Sequence, residues 1–181
     1  MLITNGADDL CKQMVVVHAR CVHDKRNQKV AFVQDRIEKT IELKAPVARV
    51  WRALTDHKEF GEWFQVELDS PFVVGEVTRG QVTYPGYEHL KWWAIVTVME
   101  HERLFSFSWC PLATESTVDY SNEPQTLVEF RLEATTDGSR LVVSESGFDA
   151  LPDDERRVDA LRRNTEGWNG QAQNIAVHVE S

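Results

Sequence analysis

Apolar positions along this chain follow two rhythms, and the change between them divides it into parts. Over the last thirty residues Val158, Leu161, Thr165, Trp168, Ala172, Ile175 and Val179 recur at steps of three and four. That spacing predicts one helix of about seven turns over 153–181, with Arg156, Arg157, Arg162, Glu166, Gln173 and Glu180 off the stripe. Pro152 ends the preceding segment, and Asp153, Asp154 and Glu155 suit the positive end of the helix dipole. Gly167 falls mid-helix beside Trp168, where glycine costs about 1 kcal/mol relative to alanine. A glycine kept there implies close approach by another element or by a ligand.

Earlier in the chain the period is two. Ile37, Ile41 and Leu43 alternate with Glu38, Thr40, Glu42 and Lys44, the pattern of a half-buried strand. Ala45-Pro46 breaks it, and Val47, Val50, Trp51 and Leu54 then follow at helical spacing. Thr55-Asp56 starts a second short helix whose face carries Phe60, Trp63 and Phe64. Strands are predicted near 66–69, 72–77, 80–85, 90–99, 104–109, 126–136 and 139–147, with 111–125 as a polar loop. No crossover helix interrupts them, so the sheet is expected to be antiparallel. The order of strand, helix pair, antiparallel meander and long helix predicts an α+β domain whose curved sheet wraps the last helix.

The hairpin at Asp137-Gly138 allows faces to be assigned. With that dipeptide as the loop, Leu132 pairs with Val143 and Phe130 with Glu145, and the apolar parity must face the helix. Glu145 is thereby placed inside, where burial raises a carboxyl pKa unless donors or cations oppose it. The same parity argument turns Trp92, Phe107 and Trp109 inward. With Phe130, Trp168, and Trp63 and Phe64 above, they line an aromatic interior, which by composition alone reads as packed core.

Composition narrows the function classes. With 181 residues, 42% of them hydrophobic, the chain suits one domain with a real core. A net charge of −9 disfavours nucleic acid and anionic membrane surfaces. No apolar run reaches the roughly 18 residues of a span. Three cysteines without framework spacing and no secretory leader pattern point to a cytoplasmic setting. Residues 1–34 lack a periodic face and are read as a loosely ordered extension. Within it 8–17 is compatible with a short helix or a strand, and 19–27 is polar and aperiodic. The spacing of Cys11, His18, Cys21 and His23 fits no usual zinc pattern. The domain is placed at 35–181. No metal site, cofactor motif, nucleophile elbow or phosphate loop is found there. His57, His89 and His101 are expected to be solvated.

Taken in order, Ile41-x-x-x-Ala45-Pro46-x-x-x-Val50-Trp51-x-x-Leu54-Thr55-Asp56 and then Phe60-x-x-Trp63-Phe64 resemble the opening of the SRPBCC, or START-like, superfamily. Asn164-Thr165-Glu166-Gly167-Trp168 and the hairpin from Gly138 to Phe148 are similar to its branch named after the activator of Hsp90 ATPase. The resemblance spans about 35–180 and implies a helix-grip (START/Bet v 1-like) fold with a cavity between sheet and long helix. It thereby turns the aromatic interior from core into pocket. The expected ligand-binding set is Trp63, Phe64, Tyr84, Trp92, Phe107, Trp109, Phe130, Glu145, Asn164 and Trp168, for a small hydrophobic or aromatic ligand. No cofactor is implied, and the protein is expected to be a monomer or homodimer. The alternative is a cyclase- or hydrolase-type enzyme using Glu145 with Tyr84 or Asn164 as an acid–base pair. Chaperone-associated work ranks third: the activators themselves carry a separate Hsp90-binding domain, which 34 unpatterned residues cannot replace.

Overall fold

The computed structural model describes residues 35–115 and 117–181, together with the backbone of 19–22 and 31–34. In that backbone Ala19–Val22 (β1) and Ala31–Gln34 (β2) pair antiparallel, so part of the stretch read as aperiodic is a two-stranded ribbon. The expected element over 8–17 and the side chains of Cys11, His18, Cys21 and His23 lie outside the described residues.

Seven strands form the main sheet: Arg36–Leu43 (β3), Val66–Leu68 (β4), Val77–Val82 (β5), Lys91–Glu100 (β6), Leu104–Trp109 (β7), Thr126–Thr135 (β8) and Gly138–Ser146 (β9). Their order is β3-β9-β8-β7-β6-β5-β4, antiparallel throughout. Every neighbour is consecutive in sequence except β3, which pairs with the last strand. Two short helices, Val47–Thr55 (α1) and His57–Phe64 (α2), follow β3, and Glu155–Glu180 (α3) closes the chain. This is the expected helix-grip architecture, a curved sheet holding one long helix. The two predicted strands at 72–77 and 80–85 are a single strand, β5, entered by a turn containing Gly75.

Local chemistry explains the joints. Asp56 ends α1 and caps α2, its carboxylate accepting from the backbone N–H of Lys58 and Glu59. The last carbonyls of α2 are satisfied by α3: Asn174 donates to the Trp63 carbonyl at 3.1 Å and Gln171 to that of Phe64 at 3.1 Å. Gln65 then turns the chain into β4 with φ of 62°, an uncommon conformation for a residue other than glycine.

Two expectations about register and face need correction. The β8–β9 loop is Thr136-Asp137, and Thr135 pairs with Gly138, so Leu132 faces Leu141, Phe130 faces Val143 and Glu145 faces Val128. Gly138 serves packing rather than the turn, since a Cβ there would lie 2.1 Å from the Leu43 carbonyl oxygen. The slip is two residues, so every side chain keeps its predicted face. On α3, Val158 is 68% exposed although it belongs to the predicted stripe. The buried line starts instead at Ala160, two residues and therefore about 200° around the helix, and continues through Trp168, Ala172, Ile175 and Val179.

The core lies between the inner sheet face and the three helices, with Phe60, Phe105, Phe107, Phe130 and Phe148 among its fully buried side chains. Lys39 shares the inward parity of Ile37, Ile41 and Leu43 and is 1% exposed. Burial alone holds its pKa below the usual lysine value.

Candidate functional site

At one end of the grip, sheet and helix do not close on each other. A cavity of about 480 Å³ is left there. Its walls come from four places: the end of α2 (Phe64, Gln65), the β4–β6 edge with the 84–90 loop (Tyr84, Tyr87, Trp92), the segment after β7 (Trp109 to Thr114) and α3 (Arg163, Asn164, Gly167, Trp168, Gln171). The loop is pinned by Gln81, whose side-chain amide donates to the Glu88 and Leu90 carbonyls and accepts from Lys91. Arg163 ties the segment after β7 to α3, reaching the Pro111 carbonyl while paired with Asp159.

Of the ten expected binding residues, Phe64, Tyr84, Trp92, Trp109, Asn164 and Trp168 line this cavity. Trp63, Phe107 and Phe130 lie beneath it in the packed core, in edge or tilted contact with the lining rings at centroid separations of 5.5–6.0 Å (Trp63–Phe64, Trp92–Phe107, Phe107–Trp109, Phe130–Trp168). Glu145 is fully buried behind the wall and does not line the cavity. Gly167 does line it, and a Cβ added there meets nothing within 4 Å. The close approach expected of that glycine is therefore approach by open space, with no other element against it.

Glu145 holds the wall together. Its Oε1 accepts from Trp109 Nε1 at 2.8 Å, Thr126 Oγ1 at 2.6 Å and Asn164 Nδ2 at 2.9 Å. Its Oε2 accepts from Trp168 Nε1 at 2.7 Å and from Asn164 Nδ2 at 3.0 Å. Donors from β7, β8 and α3 thus converge on one carboxyl carried by β9. Burial pushes its pKa above the ordinary glutamate value, while the four donors pull the other way. The expected direction is found, but the expected freedom is not: this carboxyl is engaged by its neighbours rather than offered to the cavity. Tyr84, 51% exposed at the mouth and 5.7 Å from Tyr87 between ring centroids, is not among its partners. With both tryptophan N–H groups turned to Glu145, the two indoles stand side by side, 6.0 Å between centroids, with Phe64 6.2 Å from each.

The sequence reading missed Gln65, Tyr87, Arg163, Gly167 and the 110–114 segment as lining residues. Gly167 beside Trp168 was the one signal that pointed there. Cys110 lines the cavity as a buried thiol whose pKa is pushed up by burial. Among the described residues no cluster of three metal-ligating side chains occurs, and no helix is long and apolar enough to cross a membrane.

Comparison with known proteins agrees with this architecture. DynU16, of the dynemicin biosynthetic locus, superposes with a TM-score of 0.64 at 21% identity over 82% of this chain. The chain spans 48% of DynU16's length. Protein MLL2253 from Mesorhizobium loti gives 0.62 at 20% identity, covering 79% of this chain and 95% of that one. CV1439 from Chromobacterium violaceum gives 0.63 at 16%, covering 81% and 98%. At such identities the likeness is one of fold. Comparison with the curated proteins finds no match. The family model described as Activator of Hsp90 ATPase homolog 1-like protein matches residues 44–180, and the chain belongs to that family.

Proposed function

We propose that the protein binds a small aromatic or apolar molecule in the cavity between α3, the end of α2 and the β4–β7 side of the sheet. The observation that carries this reading is an aromatic-walled void of about 480 Å³ in an otherwise close-packed domain, within the usual range for ligand sites of about 300–1,000 Å³. At about 30 Å³ per water-sized unit it admits a ligand of about sixteen non-hydrogen atoms. At about 0.3 kcal/mol per atom that corresponds to sub-millimolar affinity, reaching micromolar for a well-matched ligand.

The acid–base enzyme reading has less to stand on. Both oxygens of Glu145 are engaged by side-chain donors, Asn164 is one of those donors, and Tyr84 stands apart. Glu145 acts here as a positioning residue for two wall indoles. Chaperone-associated work rests on the family's name alone.

Native mass spectrometry of the freshly purified protein tests the proposal. The expected result is a non-covalent adduct of small mass that Gly167→Phe abolishes while the fold is retained. An adduct equally abundant in Gly167→Phe would place the ligand elsewhere and overturn the reading. So would the absence of binding by any aromatic compound in calorimetric titrations.

A further inference from the structure

The polar atoms of the cavity wall are unevenly satisfied. Trp109 and Trp168 spend their indole N–H groups on Glu145. The third wall tryptophan, Trp92, is 7% exposed, and its Nε1 is buried without a partner among the described residues. A buried donor left unmade is costly, and native proteins leave few of them. On the same wall Gln65 has a buried, unpartnered Oε1. Its backbone is meanwhile fully used, its N–H going to Gly61 and its carbonyl accepting from Thr83 at 2.9 Å. The left-handed turn that brings Gln65 to this wall is thus held from both sides.

Charge adds a second, independent constraint. The protein carries a net −9, yet no carboxylate lines the cavity and both charged lining residues, Lys91 and Arg163, are cations. Arg163 is paired with Asp159, whereas the Lys91 ammonium is held by the neutral Gln81 side chain. A cation entering this site meets two like charges. An anion is drawn toward them, and the surrounding apolar wall strengthens that preference.

Resting on the cavity reading above, we infer that the ligand is an aromatic acid or its amide-like equivalent: a planar ring system bearing an oxygen acceptor for the Trp92 N–H, neutral or negative in charge. A hydroxyl or N–H beside that oxygen is the complement of Gln65 Oε1. A purely hydrocarbon ligand leaves both groups orphaned, and an aromatic amine cation leaves Trp92 orphaned as well as opposing Lys91 and Arg163.

Four probes on one ring framework separate these cases by isothermal titration calorimetry: 1-naphthoate, 1-naphthamide, 1-methylnaphthalene and 1-naphthylmethylammonium. Naphthoate and naphthamide are expected to bind at least tenfold more tightly than methylnaphthalene, and the ammonium more weakly than methylnaphthalene. In Trp92→Phe the advantage of naphthamide over methylnaphthalene should shrink to threefold or less, with methylnaphthalene itself unchanged within twofold. Lys91→Met should selectively weaken naphthoate, and it keeps the test available if Trp92→Phe does not fold. Equal binding of methylnaphthalene and the two oxygen-bearing probes, or ammonium binding as tight as naphthoate, overturns the inference while leaving the cavity reading intact. No binding by any of the four overturns both.

Discussion

Replacing Glu145 by leucine removes the acceptor on which four side chains converge, and the structure fixes the sign of the result. Of the four donors, Trp168 Nε1 and Thr126 Oγ1 belong to residues only 4% and 0% exposed, so both are stranded away from water. Trp109 and Asn164 border the cavity and can be rehydrated from it. Two stranded donors at about 1–3 kcal/mol each give about 2–6 kcal/mol. Relief from burying a carboxyl offsets part of this, because burial outweighs the donors in setting its raised pKa. A net loss of about 2–4 kcal/mol follows, which for a domain of this size lowers Tm by about 4–16 °C. From sequence alone the opposite sign was reasonable, since a leucine at an inward strand position looks like improved core. The four donors reverse it.

Urea denaturation of wild type, Glu145→Leu, Trp168→Phe and the double variant measures this without reference to any ligand. If Glu145 stabilises by engaging the indole N–H, the leucine costs less once that N–H is absent, and the cycle should show coupling of about 1–3 kcal/mol. Glu145→Gln is a subtler probe. Its amide nitrogen must face donors on whichever side it lies; Thr126 and Asn164 can turn to accept, but an indole N–H cannot. A Glu145→Leu protein as stable as wild type, or a cycle without coupling, would refute the assignment of Glu145 as the anchor of the wall.

Other substitutions probe separate parts of the domain. Gly167→Ala should raise stability by about 1 kcal/mol, since helix propensity improves and the added methyl meets nothing within 4 Å, while thermal melts of Gly167→Phe should show a folded protein without ligand binding. Lys39→Met should leave stability at pH 7 unchanged or raise it by about 1 kcal/mol, because among the described residues the buried ammonium has no ion pair. Its depressed folded pKa means that the unfolded chain holds the proton more tightly, so wild type should approach the variant in stability as pH rises through the lysine range. Glu59 runs the other way. Burial pushes it up, but hydrogen bonds from His178 (3.2 Å) and Arg49 (2.5 Å), with Arg52 at 2.6 Å, hold it below its ordinary value of 4.5. Its contribution is therefore complete above that value and lost as pH falls through the lower folded pKa, so the deficit of Glu59→Gln, about 1–2 kcal/mol at pH 7, should vanish in acid. A deficit that persists at pH 2 would mean the carboxylate's charge is not the cause.

Much of the architecture was legible because it is written in periodicity. The strand alternation, the helix pair after Pro46 and the one-sided final helix each follow from spacing, and the inward face of the β8–β9 hairpin survived a wrong loop because the slip was even. What failed had physical causes that spacing does not encode. Gly138 looked like a turn glycine, but it is demanded by the Leu43 carbonyl from a strand nearly a hundred residues away. Lys39 breaks the binary pattern of β3, and no local rule predicts a lysine on an inward face. Val158 continues the α3 stripe in sequence, but the helix meets its partners along the line of Ala160 instead.

The site divides in the same way. Parity named the inward residues, and all ten expected side chains do lie in or near the grip, but parity cannot tell a ring that lines a void from one packed beneath it. That distinction depends on where the sheet and α3 diverge, and so on Gly167, the 84–90 loop and the 110–114 segment acting together. Glu145 shows the consequence most plainly. An inward glutamate without an arginine on its face reads as a free acid, because the sequence displays charges and conceals donors. Two tryptophans, a threonine and an asparagine from three other elements supply the compensation that a cation usually does. The carboxyl then fixes the edges of two indoles, and the one wall indole it does not reach, Trp92, is the one left with an N–H to offer.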